Sequence, residues 1–156
     1  MAAVKRRVRL VGWLAALLIA CGGDTSPPPQ TTFGPEARGE VLSGVPDAPD
    51  PDRRYVIYLH NLWLENQGPG VPHPKFGEYE FDQILQALAE PGLTVIGEVR
   101  PRGSDPHAAT RRVADQVATL QKAGVPAGHI TVVGFSKGGA IALLASALIA
   151  DDEVNF

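Results

Sequence analysis

The amino-acid sequence predicts an α/β fold in which a parallel sheet is covered by helices on both faces, giving three layers. Two observations lead to this prediction. Three short runs rich in β-branched residues are apolar without alternation, which is typical of strands covered on both faces. Helical segments separate these runs, so the order is strand, helix, strand, helix, strand, helix. This alternation predicts parallel strands joined by right-handed crossovers.

The predicted strands cover Tyr55–His60, Leu93–Val99 and Ile130–Phe135. A further short strand or hairpin around residues 39–42 is compatible with the sequence. In open α/β sheets, ligands bind beyond the carboxyl ends of the strands. The residues at those ends are therefore the first candidates for a site. They are His60 with Asn61, Arg100, and the segment that begins at Gly134.

The predicted helices cover Tyr79–Ala89, Pro106 to about Gly124, and Lys137 or Gly138 to Ala150. Asp105 is a suitable N-cap for the second helix, because a carboxylate accepts hydrogen bonds from the first helical amides. Pro106 suits the first helical position, where no backbone N–H is needed. The third helix is apolar nearly all round, so we expect it to lie buried in the core.

The chain divides by composition into three zones. Residues 1–20 combine a basic start with an apolar stretch of about a dozen residues, which is the layout of an export signal. A bilayer span takes about 20 residues, so length disfavours a membrane-spanning or buried helix here. Residues 21–52 are rich in proline and poor in large apolar groups, which predicts an extended tether. Residues 53–156 hold the α/β pattern.

The single cysteine, Cys21, directly follows the apolar stretch. A lone thiol excludes a disulfide within the chain. The segment Leu18-Ile19-Ala20-Cys21 resembles the lipobox of bacterial lipoproteins, in which the cysteine is lipid-modified and becomes the mature N-terminus. The resemblance implies an exported protein that is anchored through acyl chains on Cys21 to a bacterial membrane, in the periplasm or at the outer face. Two or more acyl chains make such an anchor stable.

Charge argues against nucleic acid as a partner. Four of the fourteen basic residues lie within the first nine positions, which leaves ten basic against seventeen acidic residues in the remainder. A body with this excess of negative charge repels phosphate backbones.

One motif points to a specific chemistry. Residues 134–138 read G-x-S-x-G and stand between a predicted strand and an apolar helix, which is the context of a nucleophile elbow. A sharp turn there presents the Ser136 hydroxyl, and the N–H of Lys137 faces the developing oxyanion. The alternative is a glycine-rich turn with an exposed serine. A phosphate-binding loop fits less well, because no glycine pattern of that type is present.

Together with Tyr58-Leu59-His60-Asn61, this motif resembles the α/β-hydrolase superfamily, of the serine esterase and lipase type, over about residues 55–156. The resemblance implies that Ser136 is the nucleophile and that the oxyanion hole combines the N–H of Lys137 with one from Asn61 or Leu62. The family usually has glycine where this chain has Asn61, and asparagine tolerates left-handed backbone better than most residues. The implied substrate is a small molecule with an acyl bond, and neither a metal nor an organic cofactor is required.

The catalytic base is the remaining question. In this family the acid and the histidine follow the serine, but none of the twenty residues after Ser136 is a histidine. We favour the N-terminal part of a longer hydrolase, because the last six residues read like a loop turning into another strand. The alternative is a non-catalytic, hydrolase-like lipoprotein or remnant. His60, His73, Arg100 and His107 are candidate substrate-binding residues; for His60 the resemblance also implies structural support of the oxyanion loop.

Overall fold

A computed structural model describes residues 39–156. The predicted signal segment, Cys21 and the first part of the predicted tether lie outside the described residues. The described chain forms a four-stranded, all-parallel sheet with helices packed on both faces. The predicted α/β fold class is thereby confirmed.

The strands are β1 Glu40–Leu42, β2 Tyr55–Leu59, β3 Thr94–Gly97 and β4 Ile130–Gly134. The helices are α1 Leu62–Gln67, α2 Phe81–Ala89, α3 Pro106–Lys122 and α4 Lys137–Ile149, and a 3-10 turn covers Ala127–His129. The predicted N-cap of α3 is confirmed, since a carboxylate oxygen of Asp105 accepts the Ala108 N–H at 2.7 Å. Between residues 39 and 156, no helix has both the length and the hydropathy needed to cross a membrane.

The strand order is β1-β3-β2-β4, so the chain changes direction around β2. From β2 it moves to β3 on one side, and it later returns to add β4 on the other side. A crevice opens beyond the carboxyl ends of parallel strands where the direction reverses, and ligands bind there in open α/β sheets. The topology therefore places the favoured binding position at the ends of β2 and β4.

Two hydrophobic layers enclose β2. Tyr55, Ile57 and Leu59 face the layer formed with α3 and α4. Val56 and Tyr58 face the opposite layer, which includes residues of α1 and α2. This double coverage explains why the strand sequence is apolar without alternation. Full burial of one large apolar side chain stabilises a fold by about 1.5–3 kcal/mol.

Strand β1 lies inside the segment that we expected to be a tether. It pairs in parallel with β3, with Val41 opposite Val95, and Val41 packs against the α2 layer. The option of a short strand around residues 39–42 is thus confirmed. Residues 40–42 of the zone predicted to be a tether are therefore part of the sheet, whereas residues 43–52 contain no helix or strand.

Helix α4 is buried on one face only. Ile141, Ala142 and Ala145 are buried against the sheet and α3. On the other face Leu143 is 73% exposed, and Leu144 and Leu148 are also exposed. The expectation of burial on all sides is therefore wrong, since among the described residues the helix is packed along a single stripe.

The outer edge of β4 carries the last residues of the described chain. The Val132 N–H donates to the carbonyl of Asn155 at 2.8 Å, and the Asn155 N–H donates to the carbonyl of Ile130 at 3.0 Å. These two bonds make a parallel bridge between Thr131 and Asn155. The outer edge of β4 therefore hydrogen-bonds to a segment that runs parallel to the strands of the sheet.

Candidate active site

Ser136 has the most unusual backbone of the site. It stands between β4 and α4 with φ 55° and ψ −117°, a conformation that is strained for a residue with a side chain. Such strain costs on the order of 1–3 kcal/mol and persists only where the surrounding structure enforces it. The residue as a whole is exposed to solvent. The structure therefore forms the sharp strand-to-helix turn that the G-x-S-x-G motif requires.

Two glycines make this turn sterically feasible. A Cβ added to Gly138 would lie 1.9 Å from the carbonyl oxygen of Leu59. A Cβ added to Gly134 would lie 2.2 Å from the carbonyl oxygen of Gly138. Both distances are far below van der Waals contact, and the obstructing atoms are backbone. The start of α4 therefore approaches β2 and β4 so closely only because these positions lack side chains.

The predicted oxyanion amides lie at the neighbouring ends of β2 and β4. Lys137 is the first residue of α4, and Leu62 is the first residue of α1. The two strand ends are tied by the Phe135 N–H, which donates to the carbonyl of Leu59 at 3.0 Å. Asn61 has an extended backbone, with φ −76° and ψ 177°, so it does not adopt the left-handed conformation that asparagine tolerates. Its side chain caps α1 instead.

His60 is fully buried behind this turn. Its Nε2 accepts the main-chain N–H of Arg100 at 2.8 Å, so its Nδ1 carries the proton and donates to the carbonyl of Asn61, also at 2.8 Å. Burial, reinforced by the Arg100 guanidinium, lowers the pKa of His60 from 6.5 to about 4. With both nitrogens engaged, His60 supports the segment after β2. The expected contact of His60 with substrate stays a prediction, and in this structure it would have to displace one of these two hydrogen bonds.

A charged cluster fills the space between α1 and the elbow; we call Glu65, Arg100 and Lys137 the Glu65 cluster. The Glu65 carboxylate is fully buried and accepts from Lys137 Nζ at 2.5 Å and from Arg100 Nε at 3.2 Å. Lys137 Nζ also donates to the carbonyl of Ser104 at 2.7 Å. Burial alone would raise the pKa of Glu65, but the hydrogen bonds from the two cations outweigh it and lower the pKa below 4.5.

Arg100 is turned into this cluster rather than toward solvent. Its side chain is buried, and Nη2 donates to the carbonyl of His60. Within residues 39–156 its Nη1 has no hydrogen-bond partner. The expected contact of Arg100 with substrate stays a prediction, and in this structure the guanidinium is engaged with Glu65 and the backbone of His60.

Aromatic and aliphatic side chains form an apolar rim beside Ser136. Phe135 is 56% exposed and stacks on Tyr79, with ring centroids 6.1 Å apart and planes 11° apart. The Tyr79 hydroxyl is 2.5 Å from that of Tyr58, and burial together with this hydrogen bond raises the pKa of Tyr79. Leu62 is also exposed at the start of α1. The rim, defined as Leu62, Tyr79 and Phe135, offers a surface for an apolar group.

The structure gives His73 and His107 different settings. His73 lies in a tight turn closed by two backbone hydrogen bonds with Gly77, and its ring contacts those of Trp63 and Phe76 at 4.5 and 4.8 Å. His107 is exposed in the first turn of α3. Neither is hydrogen-bonded to Ser136 within the described chain, so their contact with substrate stays a prediction.

A cleft of about 420 Å³ lies between α3 and the sheet. Its lining is mostly aliphatic and includes Ile57, Ile96 and Val113, but Ser136 does not border it. The lining also includes Arg100 and Ser104, so the cleft adjoins the Glu65 cluster although it does not reach Ser136. Among residues 39–156 no three histidine, cysteine or acidic side chains are grouped so that they could hold a metal ion.

Sequence reasoning missed Glu65, which the structure places at the centre of the site. The residue belongs to α1, a six-residue helix that the apolar pattern did not indicate. The available signal was Asn61, since asparagine is a favoured N-cap directly before a helix. The ionic partners of Glu65 lie 35 and 72 residues away along the chain, so no local pattern points to them.

No family model matches the chain, and neither a curated protein nor a solved structure matches it. The chemistry of the site is therefore inferred from its own geometry.

Proposed function

We propose that the protein is a membrane-tethered serine hydrolase of the α/β-hydrolase type, which cleaves an ester or a related acyl bond. The observation that carries the proposal is the strained, exposed Ser136 between β4 and α4. A serine held in such a turn presents its hydroxyl to an approaching carbonyl group. The position also coincides with the switch point of the sheet, where ligands bind in open α/β folds.

In the proposed reaction Ser136 Oγ attacks the acyl carbonyl carbon and loses its proton to a base. The N–H of Lys137 and one from Asn61 or Leu62 donate to the resulting oxyanion. When the tetrahedral intermediate collapses, the bond to the leaving group breaks and the leaving group takes up the proton. Water then releases the acyl group from Ser136 in a second attack. The base is a histidine other than His60, whose two nitrogens are already engaged.

The charge distribution favours a negatively charged intermediate. The Glu65 cluster combines one carboxylate with two cations, so it carries a net positive charge next to the elbow. A preorganised donor aimed at an oxyanion contributes on the order of 100- to 1,000-fold in rate. The apolar rim supports a substrate that has an alkyl or aryl group next to its acyl bond.

Export and anchoring belong to the same proposal. Cys21 and the signal segment preceding it would place the domain on a bacterial membrane, in the periplasm or at the outer face. The hydrolase would then act on small-molecule acyl substrates close to that membrane, without a metal or organic cofactor.

A second candidate is a non-catalytic, hydrolase-like lipoprotein that binds acyl compounds without cleaving them. The specific observation in its favour is the state of His60, the histidine that directly follows β2. Its two ring nitrogens are used within the protein, and its pKa is lowered to about 4. His60 therefore cannot take the Ser136 proton without breaking the contacts that hold the turn.

A fluorophosphonate probe separates the two candidates. We expect the full chain to gain one adduct on Ser136, detected by intact mass and peptide mapping, because an activated serine attacks phosphorus. The Ser136→Ala variant is the matched control and should gain none. A wild-type protein that is folded by circular dichroism but stays unlabelled would rule out the hydrolase and favour the binding protein.

A further inference from the structure

The Glu65 cluster joins the two chain segments that supply the oxyanion amides. Glu65 belongs to α1, the helix that begins at Leu62. Lys137 begins α4, and its ammonium group is 2.5 Å from the Glu65 carboxylate. A single carboxylate therefore connects the helix after β2 with the helix after β4.

The cluster also fixes the strand ends behind these helices. Arg100, in the segment that follows β3, binds Glu65 through Nε and the carbonyl of His60 through Nη2. The His60 ring in turn donates to the carbonyl of Asn61. The two Arg100 contacts are buried, so solvent screens them little. The main chain at residues 60 and 61 is thus held by two hydrogen bonds, one from the Arg100 side chain and one from the His60 ring.

From this connection we infer that Glu65 is a positioning residue, which sets the separation of the Lys137 amide from the Asn61 and Leu62 amides through its ion pair with the Lys137 side chain. The inference rests on the proposed function, because it concerns the oxyanion hole of that reaction. Glu65 touches neither substrate nor reacting atoms in this role. Lys137 has two separate tasks, since its amide is the donor and its ammonium group is the anchor.

This separation allows a sharp experiment, because the side chain can be changed while the donor amide remains. In Lys137→Met the ammonium group is lost, and Glu65 keeps Arg100 as a one-to-one partner inside the protein. Glu65→Gln is the second variant, which removes the negative charge but keeps a similar shape. Arg112→Met is the matched control, because it breaks the exposed pair of Arg112 with Glu98, which has no contact with the elbow.

The measurement is the labelling of Ser136 in the full chain by an alkyl fluorophosphonate, analysed as a maximal rate and a half-saturating concentration. For Lys137→Met we expect the maximal rate to fall at least about tenfold, since small misplacement of catalytic groups can cost up to about 100-fold. The half-saturating concentration should stay unchanged, and Arg112→Met should label like wild type. Glu65→Gln should lower the maximal rate as well.

Loss of fold and loss of positioning give different results. Unfolding lowers the fraction of protein that is labelled, whereas misplaced amides slow the reaction of the whole folded population. Equal maximal rates in wild type, Lys137→Met and Glu65→Gln would overturn the positioning role while leaving the hydrolase proposal intact. A wild-type protein without labelling would overturn the proposed function and this inference with it.

Discussion

At the scale of single residues, the site depends on the absence of side chains as much as on their presence. Gly138 is buried at the start of α4, and its Cα faces the carbonyl of Leu59. Its neighbour Gly139 has more room, since a Cβ there would lie 3.2 Å from the carbonyl oxygen of Gly134. The two adjacent glycines of α4 thus form a natural pair for comparison.

We expect Gly138→Ala to lower the free energy of unfolding by about 3 kcal/mol or more, because overpacking against rigid backbone cannot be relieved by a rotamer change. Gly139→Ala should change it by less than about 1 kcal/mol, since the helix propensity of alanine offsets a mild contact. Urea unfolding of the full chain followed by circular dichroism measures both. Similar values for the two variants would contradict the close approach of α4 to β2.

The buried, neutral state of His60 has a consequence for stability against pH. Its pKa is lowered from 6.5 to about 4 on folding, so between these values the unfolded chain binds more protons than the folded one. Stability therefore rises with pH across this window and is lost as pH falls. Glu65 acts in the same direction at lower pH, because its pKa is also lowered on folding.

We expect the protein to be about 2 kcal/mol less stable at pH 5 than at pH 7, an effect of His60 protonation in the unfolded chain. Urea unfolding at the two pH values measures the difference. A His60 ring that titrates near 6.5 in the folded protein, followed by NMR, would show that the ring is not held as described.

At the scale of secondary-structure elements, α4 has two faces of similar composition and different surroundings. Ile141 is fully buried against the sheet and α3, whereas Leu143 is 73% exposed. Both are large aliphatic residues in one helix, so intrinsic helix propensity differs little between them. Comparing alanine substitutions at the two positions therefore isolates the contribution of side-chain packing to the free energy of unfolding.

Ile141→Ala should therefore lower the free energy of unfolding by about 2–5 kcal/mol, the usual range for large-to-small changes in a core. Leu143→Ala should stay within about 0.5 kcal/mol of wild type, as for surface positions without special contacts. Thermal or urea unfolding of the full chain gives both values. A loss at Leu143 as large as that at Ile141 would mean that the outer face of α4 is packed in solution.

The sequence predicts the longer elements well because their signals are local. The strands β2, β3 and β4 lie inside the three apolar runs, and α2 and α3 differ from their predicted bounds by two residues at most. Helix α1 escaped prediction because six residues offer too few turns for a helical period. The exposure of the outer face of α4 was not predicted, because the sequence shows which residues of the helix are apolar but does not show which faces of the helix pack against other elements.

At the scale of the whole molecule, the sequence indicated where the site lies but not what holds it together. Ser136 and the end of β2 were predicted from a motif and from the rule for parallel sheets. The supporting role of His60 was implied by the resemblance, whereas the role of Arg100 could not be predicted, because it depends on which side chains meet across the sheet. Glu65 meets Lys137 only when β2 and β4 become neighbours, which is a property of the tertiary fold.

The strand order also determines when the sheet can form during synthesis. Strands β1 and β2 are made first, but they do not pair with each other, because β3 lies between them. Among β1 to β4, even the two paired strands closest in sequence, β2 and β3, are separated by a long loop, and such loops make folding slow. Until β3 has been synthesised, β1 and β2 therefore have no neighbouring strand among β1 to β4, and their apolar residues lack the partners that they have in the finished sheet.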